Sequence, residues 1–292
     1  MMDLITLDLV LAFREAGCPL CRLRSDSVRR YLFHLLYENV TDGPTRLHLA
    51  RAQGFCPDHA WQLQAFEHIH WQDGLGVGII YEDLTGMVLG TLREYLARTS
   101  RPLRRARTSL RGRTFGRDRS GRLGRWLAGR ALAPAQWLLT RLAPAQRCPV
   151  CETADQSEEG HLAWLVRGIT DTEFRKQYVA SDGLCLPHLR RALACAEDEE
   201  AARWLAQVAV DKLAPLAADL AQYTRKHAWQ NRDEPKHPWE QAAWIRAVAF
   251  FAGESDDAGD ESPGQARERA LADYRTRPEV VAESTGNGRQ CR

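Results

Sequence analysis

Lysine is nearly missing from this chain. Only four of its 40 basic residues are lysine, at Lys176, Lys212, Lys226 and Lys236, and the rest are arginine. Methionine is scarce too, with three in 292 residues. Missing patterns exclude more than missing residues do. The longest apolar runs, such as 76–81 and 137–139, fall far short of the roughly 20 residues that a bilayer-spanning helix needs. Residues 1–13 carry neither a basic start nor a small-residue cleavage site, so they do not read as a secretory signal. No stretch alternates apolar and polar residues with a period of two, and no Asn-Gly turn sits between β-branched runs. The GxSxG, Walker, Rossmann and HExxH patterns do not occur. No CxxC is followed by histidine, because Arg22 and Glu152 stand in that place, and this excludes covalent haem attachment.

The composition, 44% hydrophobic and 27% charged, is that of a globular chain long enough for one large domain or two ordinary ones. A net charge of +2 hides a strong segregation. Residues 101–147 hold 13 arginines and one acid, Asp118, for a net of +12, so the remainder carries about −10.

Eight cysteines supply the main signal. Cys18-Pro19-Leu20-Cys21 recurs as Cys148-Pro149-Val150-Cys151, an offset of 130. Gly54-Phe55-Cys56-Pro57-Asp58-His59 recurs as Gly183-Leu184-Cys185-Leu186-Pro187-His188, an offset of 129. Leu84 and Leu213 keep that second offset. The chain therefore reads as a duplicated module of about 80 residues, near 18–97 and 148–226. Each copy is a Cys-x2-Cys followed by a Cys-x2-His, across gaps of 34 and 33 residues.

That spacing is metal-ligand spacing. A Cys-x2-Cys turn sets two sulfurs on one ion with little strain, and Cys-x2-His at a helix start supplies two more donors. A helix N-terminus also favours thiolate over thiol. The candidate ligands are Cys18, Cys21, Cys56, His59, Cys148, Cys151, Cys185 and His188. Two Cys3His sites are expected, with two zinc ions; an iron–sulfur cluster on the same ligands is the alternative. Similar gaps favour pairing within each module, and cross-pairing between modules stays open. Buried core cysteines and a thioredoxin-like dithiol are the competing readings. Core cysteines have no reason to keep this spacing, and the dithiol needs a βαβ setting that the pattern does not show. A closed four-ligand site leaves no position for substrate, which points to structural metal, and no catalytic residues are identified.

The remaining histidines, His34, His48, His68, His70, His161, His227 and His237, lack ligand-type partners at useful spacing. Cys195 reads as a helix-core cysteine, Cys291 as a free thiol in the tail, and Glu82, Asp83 and Glu94 as polar helix faces.

The fold class expected is all-α, two repeated helical modules each stapled by a Cys3His site. Leu32, Leu35 and Leu36 form an apolar stripe, Asp42-Gly43-Pro44 breaks that helix, Gly54 reads as a C-cap and Pro57 as a helix start. A long helix is expected near 76–98, and others near 160–169, 171–179, from 186 and near 198–226. The domains are a first module at 1–100, an Arg-rich insert at 101–147, a second module at 148–252 and a disordered tail at 253–292. Within the insert, 122–143 reads as a basic amphipathic helix broken near Pro134. The insert as a whole has three readings: a solvated linker, a nucleic-acid contact, or a membrane-surface helix.

The CPxC and GxCxxH pairs, with Gly76-Val77-Gly78-Ile79-Ile80-Tyr81-Glu82-Asp83-Leu84, resemble a family of functionally uncharacterised bacterial proteins with twin Cys/His modules. Arg225-Lys226-His227, Trp244 and a closing Gly253 resemble the C-terminal motif of that family. The resemblance spans about 12–253 and implies a cytoplasmic helical protein with two metal sites. It implies no activity. The long Arg-rich insert and the polar stretch 231–236 depart from the family pattern. The reading is a zinc-binding interaction or regulatory module in the cytoplasm with an unidentified protein partner. Nucleic acid, held through Arg101, Arg147 and the arginines between them, is a second candidate partner.

Overall fold

The structure is a computed structural model that describes residues 4–109 and 134–254. Every regular element among these residues is helical, as the sequence leads one to expect. In chain order the helices are α1 (Leu4–Arg14), α2 (Pro19–His34), α3 (Gly43–Ala52), α4 (Pro57–Trp71), α5 (Leu75–Ser109) and α6 (Pro134–Leu142). They continue with α7 (Pro149–Gly168), α8 (Thr172–Ala180), α9 (Leu186–Cys195), α10 (Glu199–His227), α11 (Pro238–Gln241) and α12 (Ala243–Ala252). Aspartates start three of them. Asp42, Asp171 and Asp198 accept from the backbone N–H of Thr45, Phe174 and Ala201 at 2.7–2.9 Å, which satisfies donors that a first turn leaves free.

The chain divides into two compact units, Met1–Tyr31 with Glu152–Arg292, and Leu32–Cys151. The core of the first unit gathers Leu9, Val10 and Phe13 of α1, Leu20 and Leu23 of α2, and Leu162, Leu165 and Val166 of α7. Phe174 and Tyr178 of α8, Leu189 of α9 and Leu205 of α10 belong to it too. Phe13 meets Phe174 and Tyr178 edge-on, with ring centroids 5.2 and 5.6 Å apart. Two buried ion pairs fasten the last helices to α10. Arg246 donates to Asp219 at 2.8 Å, and Lys226 donates to Glu240 at 2.7 Å.

In the second unit, Glu67 of α4 accepts from the N–H groups of Gly76 and Val77, at 2.6 and 2.8 Å, and so caps α5. A side chain at Gly76 would meet Leu36 Cδ2 at 2.8 Å and Glu67 Oε1 at 2.9 Å, so a larger residue there would have to push both side-chain ends aside. Arg46 of α3 reaches the Ile79 carbonyl at 3.2 Å and pairs with Asp83.

Three expectations need correction. The apolar runs are short, but the helix that carries them is not. Glycine and threonine interleave with the apolar residues without breaking α5, so over Leu75–Thr99 it is long and apolar enough to cross a membrane by length and composition. Glu82 and Asp83 interrupt that stretch, and its first turns pack on α3 and α4. The helix expected near 160–169 starts earlier, at Pro149. Cys195 is exposed, because it is the last residue of α9 and the chain leaves the helix there. Most of the amphipathic stretch 122–143, and the tail beyond 254 with Cys291, lie outside the described residues.

Candidate metal centres

The turns before the cysteines do the positioning. In the first unit, Gly17 adopts φ +91 just ahead of Cys18, and its N–H donates to Asp182 Oδ2 at 2.6 Å. Asp182 precedes Gly183, which has φ +79 and donates its N–H to Ser181 Oγ at 3.1 Å. The turns that lead into Cys18 and Cys185 are thus tied to one another. The second unit uses the same device. At the end of α3, Gln53 and Gly54 both take positive φ, and the Gly54 N–H donates to the Leu49 carbonyl at 2.8 Å. The Gln53 side chain then donates to the carbonyls of Arg141 and Ala143, at 3.0 and 3.1 Å, and the Ala145 N–H donates to the Arg51 carbonyl at 2.8 Å. This holds the approach to Cys148 against the approach to Cys56.

The outcome is a pairing different from the one that the gap lengths favour. One cluster is Cys18, Cys21, Cys185 and His188; the other is Cys56, His59, Cys148 and Cys151. Each joins the Cys-x2-Cys of one sequence copy to the Cys-x2-His of the other, and each lies within a single unit. All eight candidate residues are used. Gap length was a poor guide because 33 and 34 residues of helical chain reach either partner, while the turn contacts above decide which one is met.

Local geometry is alike in both. Cys56 and Cys185 each precede a helix, with φ −65 and −66 and ψ 162 and 161, and a proline follows in the first turn. Cys18 and Cys148 directly precede α2 and α7. Each cluster therefore lies at two helix N-termini.

Donor spacing matches a single tetrahedral ion. Around such an ion, with bonds of about 2.3 Å to sulfur and 2.0–2.1 Å to nitrogen, sulfurs lie about 3.8 Å apart and sulfur lies about 3.5 Å from nitrogen. In the first cluster Cys21 Sγ and Cys185 Sγ are 3.7 Å apart. His188 Nδ1 is 3.4, 3.3 and 3.0 Å from the sulfurs of Cys18, Cys21 and Cys185. In the second, Cys56 Sγ and Cys151 Sγ are 3.6 Å apart. His59 Nδ1 lies 3.1, 3.2 and 3.7 Å from Cys56, Cys151 and Cys148. Both clusters can hold a metal ion.

Charge balance points the same way. Burial, with Cys56 and Cys148 alongside, pushes the Cys151 thiol up to about 12. The Cys18 thiol raises Cys21, against the opposing pull of Cys185 and His188. Cys21 and Cys151 thus hold their protons more firmly until a cation takes their place.

One functional residue escaped the sequence reading. Glu158 of α7 is buried, and its Oε1 lies 2.8 Å from His188 Nε2. Arg24 donates to its Oε2 at 2.7 Å, and Arg191 pairs with it as well. Burial alone would raise this carboxyl, but His188, Arg191 and Arg24 outweigh it and hold it at about 2. The ring nitrogen facing away from the sulfurs is thus fixed by a carboxylate, an arrangement that metal-binding histidines use to orient the ring. In the sequence Glu158 is one acid among several on a helix.

These observations define a helical protein with two Cys3His clusters that can hold metal. Residues 1–258 match the family of unknown function DUF6062, and the chain belongs to that family. It is also similar to the "Uncharacterized 23.9 kDa protein in xynA 3'region" of Caldicellulosiruptor sp. (strain Rt8B.4). The two are 23% identical over 242 residues, which cover 82% of this chain and 97% of that protein. No solved structure matches.

Proposed function

We propose that this is a zinc-binding protein of the cytoplasm, with two structural Cys3His centres, that acts as an interaction or regulatory module and not as an enzyme. The observation that carries the reading is the donor spacing. In each cluster one atom from each of four residues lies within 4.8 Å of every other. A four-iron cluster places its own iron and sulfide between its cysteine sulfurs and needs them farther apart, so the spacing favours one ion per centre. Three thiolates and an imidazole are a common zinc set, and Glu158 on His188 supplies outer support. Four protein donors fill the coordination sphere of each ion, which suits a staple better than a reaction centre. Structural zinc adds on the order of 10 kcal/mol to the folding of a small domain.

The experiment is elemental analysis with a visible spectrum on protein purified without oxygen. Two zinc ions per chain and no colour are the expected result. Iron with sulfide and a broad visible band would replace this reading with a redox one, and absence of any metal would end both. A partner that binds through residues 101–147 belongs to the same proposal. Its arginines suit phosphate, so binding to RNA or DNA should weaken steeply as salt rises.

A further inference from the structure

We infer that the two centres are unequal: the Cys56/His59/Cys148/Cys151 centre exchanges its ion with solution, whereas the Cys18/Cys21/Cys185/His188 centre is locked beneath Gly253 and Glu254. The inference rests on the metal reading above and adds what that reading leaves open, namely which centre responds to the supply of soft divalent cations.

The lock is visible in the backbone. After α12 the chain turns at Gly253, with φ +79, and passes directly over two ligand sulfurs. A Cβ at Gly253 would lie 3.3 Å from Cys21 Sγ and 3.6 Å from Cys185 Sγ, so a larger residue there is both strained and crowded against the centre. Glu254 then closes the strap with two bonds. Its N–H donates to Cys21 Sγ at 3.4 Å, and its Oε1 accepts from the Cys18 N–H at 2.8 Å. Glu158 holds the fourth ligand from the imidazole side. All four ligands are buried, at 3–7% exposure.

At the other centre His59 is buried, while Cys56 and Cys151 are only half-buried. Ion exchange at a thiolate centre begins when an incoming cation touches a ligand sulfur, or an incoming chelator touches the ion. Partly exposed ligands such as Cys56 and Cys151 admit both, and a sulfur under a hydrogen-bonded strap admits neither until the strap lifts. Exchange of Zn2+ for Cd2+ swaps equal charge and needs no redox partner. Only its rate differs between the centres.

The test uses the full chain loaded with two zinc ions and mixed with excess 4-(2-pyridylazo)resorcinol. Two release phases of one ion each are expected, at least about tenfold apart, the scale on which outer-sphere contacts tune metal affinity. Glu254→Ala and Gly253→Ala should quicken the slow phase about tenfold and leave the fast phase unchanged. A single phase overturns the inference, as does a slow phase indifferent to both substitutions. A second measurement needs no variant. Zinc-loaded protein is pulsed with N-ethylmaleimide and mapped by mass spectrometry, with exposed Cys195 as the internal standard. Cys56 and Cys151 should be modified before Cys18, Cys21 and Cys185, and the reverse order overturns the inference. If the chain takes up no zinc, the metal reading itself has failed. If it takes two ions and releases both at one rate, only the inequality has failed.

Discussion

Cys21 and Cys185 stand 164 positions apart in the chain with their sulfurs 3.7 Å apart, while each sequence copy places its own Cys-x2-His on the other cluster. With this exchange of partners, an ion held at either cluster would be a long-range staple. An ion at the first centre closes a loop from residue 21 to residue 185, where within-copy pairing would close loops of about 35 residues. Loop-closure entropy grows with the logarithm of loop length, so the crossed arrangement constrains the unfolded chain more.

Pairing is tested by counting ions in native mass spectra. Cys18→Ser and Cys185→Ser should each leave one ion bound, and the double variant should still leave one, since both residues serve the same centre. Cys18→Ser combined with Cys56→Ser should leave none. Within-copy pairing gives the opposite pattern, because Cys18 and Cys56 would then share an ion.

The eight candidate ligands were legible in the sequence because metal chemistry dictates residue type and short spacing, and both survive as a written pattern. The helices were legible because their caps are local: Asp171 and Asp198 begin helices by bonding residues three positions on. The pairing was not, since it depends on contacts such as Gly17 to Asp182 and Gln53 to Arg141, whose partners lie 165 and 88 residues away. Glu158 and Glu254 were hidden for a related reason. A carboxylate that supports a ligand and one that merely faces solvent look alike until the fold places them. Cys195 misled because helical spacing from His188 assigns a face, but at the last residue of a helix that face is already open to solvent.

Metal uptake should release protons. Without an ion the Cys151 thiol is pushed up to about 12, so at neutral pH it holds its proton and must lose it to bind metal. Affinity should therefore rise with pH, with proton release accompanying binding near neutrality. Isothermal titration in buffers of different ionisation enthalpy counts the protons released. Proton-independent binding would mean that the thiols are not the ligands.

Glu158 gives a second dependence on pH, at the acid end. Its carboxyl is lowered from 4.5 to about 2 in the folded chain. A depressed folded value contributes stability that is fully present above the unfolded value and is lost as pH falls from 4.5 toward 2. Glu158→Gln keeps the shape and removes the charge. The stability difference between the parent chain and this variant, from urea unfolding, should be largest above pH 5 and shrink as the pH drops through that window. At neutral pH the variant should also bind its zinc at the first centre about 10–100-fold more weakly, the usual cost of losing a carboxylate behind a metal-bound histidine.

Asp219 and Arg246 test how much the last helix depends on a buried charge pair. The two side chains are 4% and 6% exposed and bonded at 2.8 Å, and Arg246 also donates to the Trp239 carbonyl at 2.9 Å. Asp219→Ala leaves a buried guanidinium without its counter-charge, which costs about 3–5 kcal/mol, whereas replacing both partners with apolar groups is often close to neutral. Asp219→Leu with Arg246→Met should therefore recover most of the stability that Asp219→Ala loses in chemical denaturation. The single variant should also quicken zinc loss from the first centre. Gly253 and Glu254 directly follow α12, which carries Arg246, so loosening that helix releases the strap over Cys21. An Asp219→Ala chain that is destabilised yet holds its slow ion as firmly as the parent would show that the strap is anchored independently of this pair.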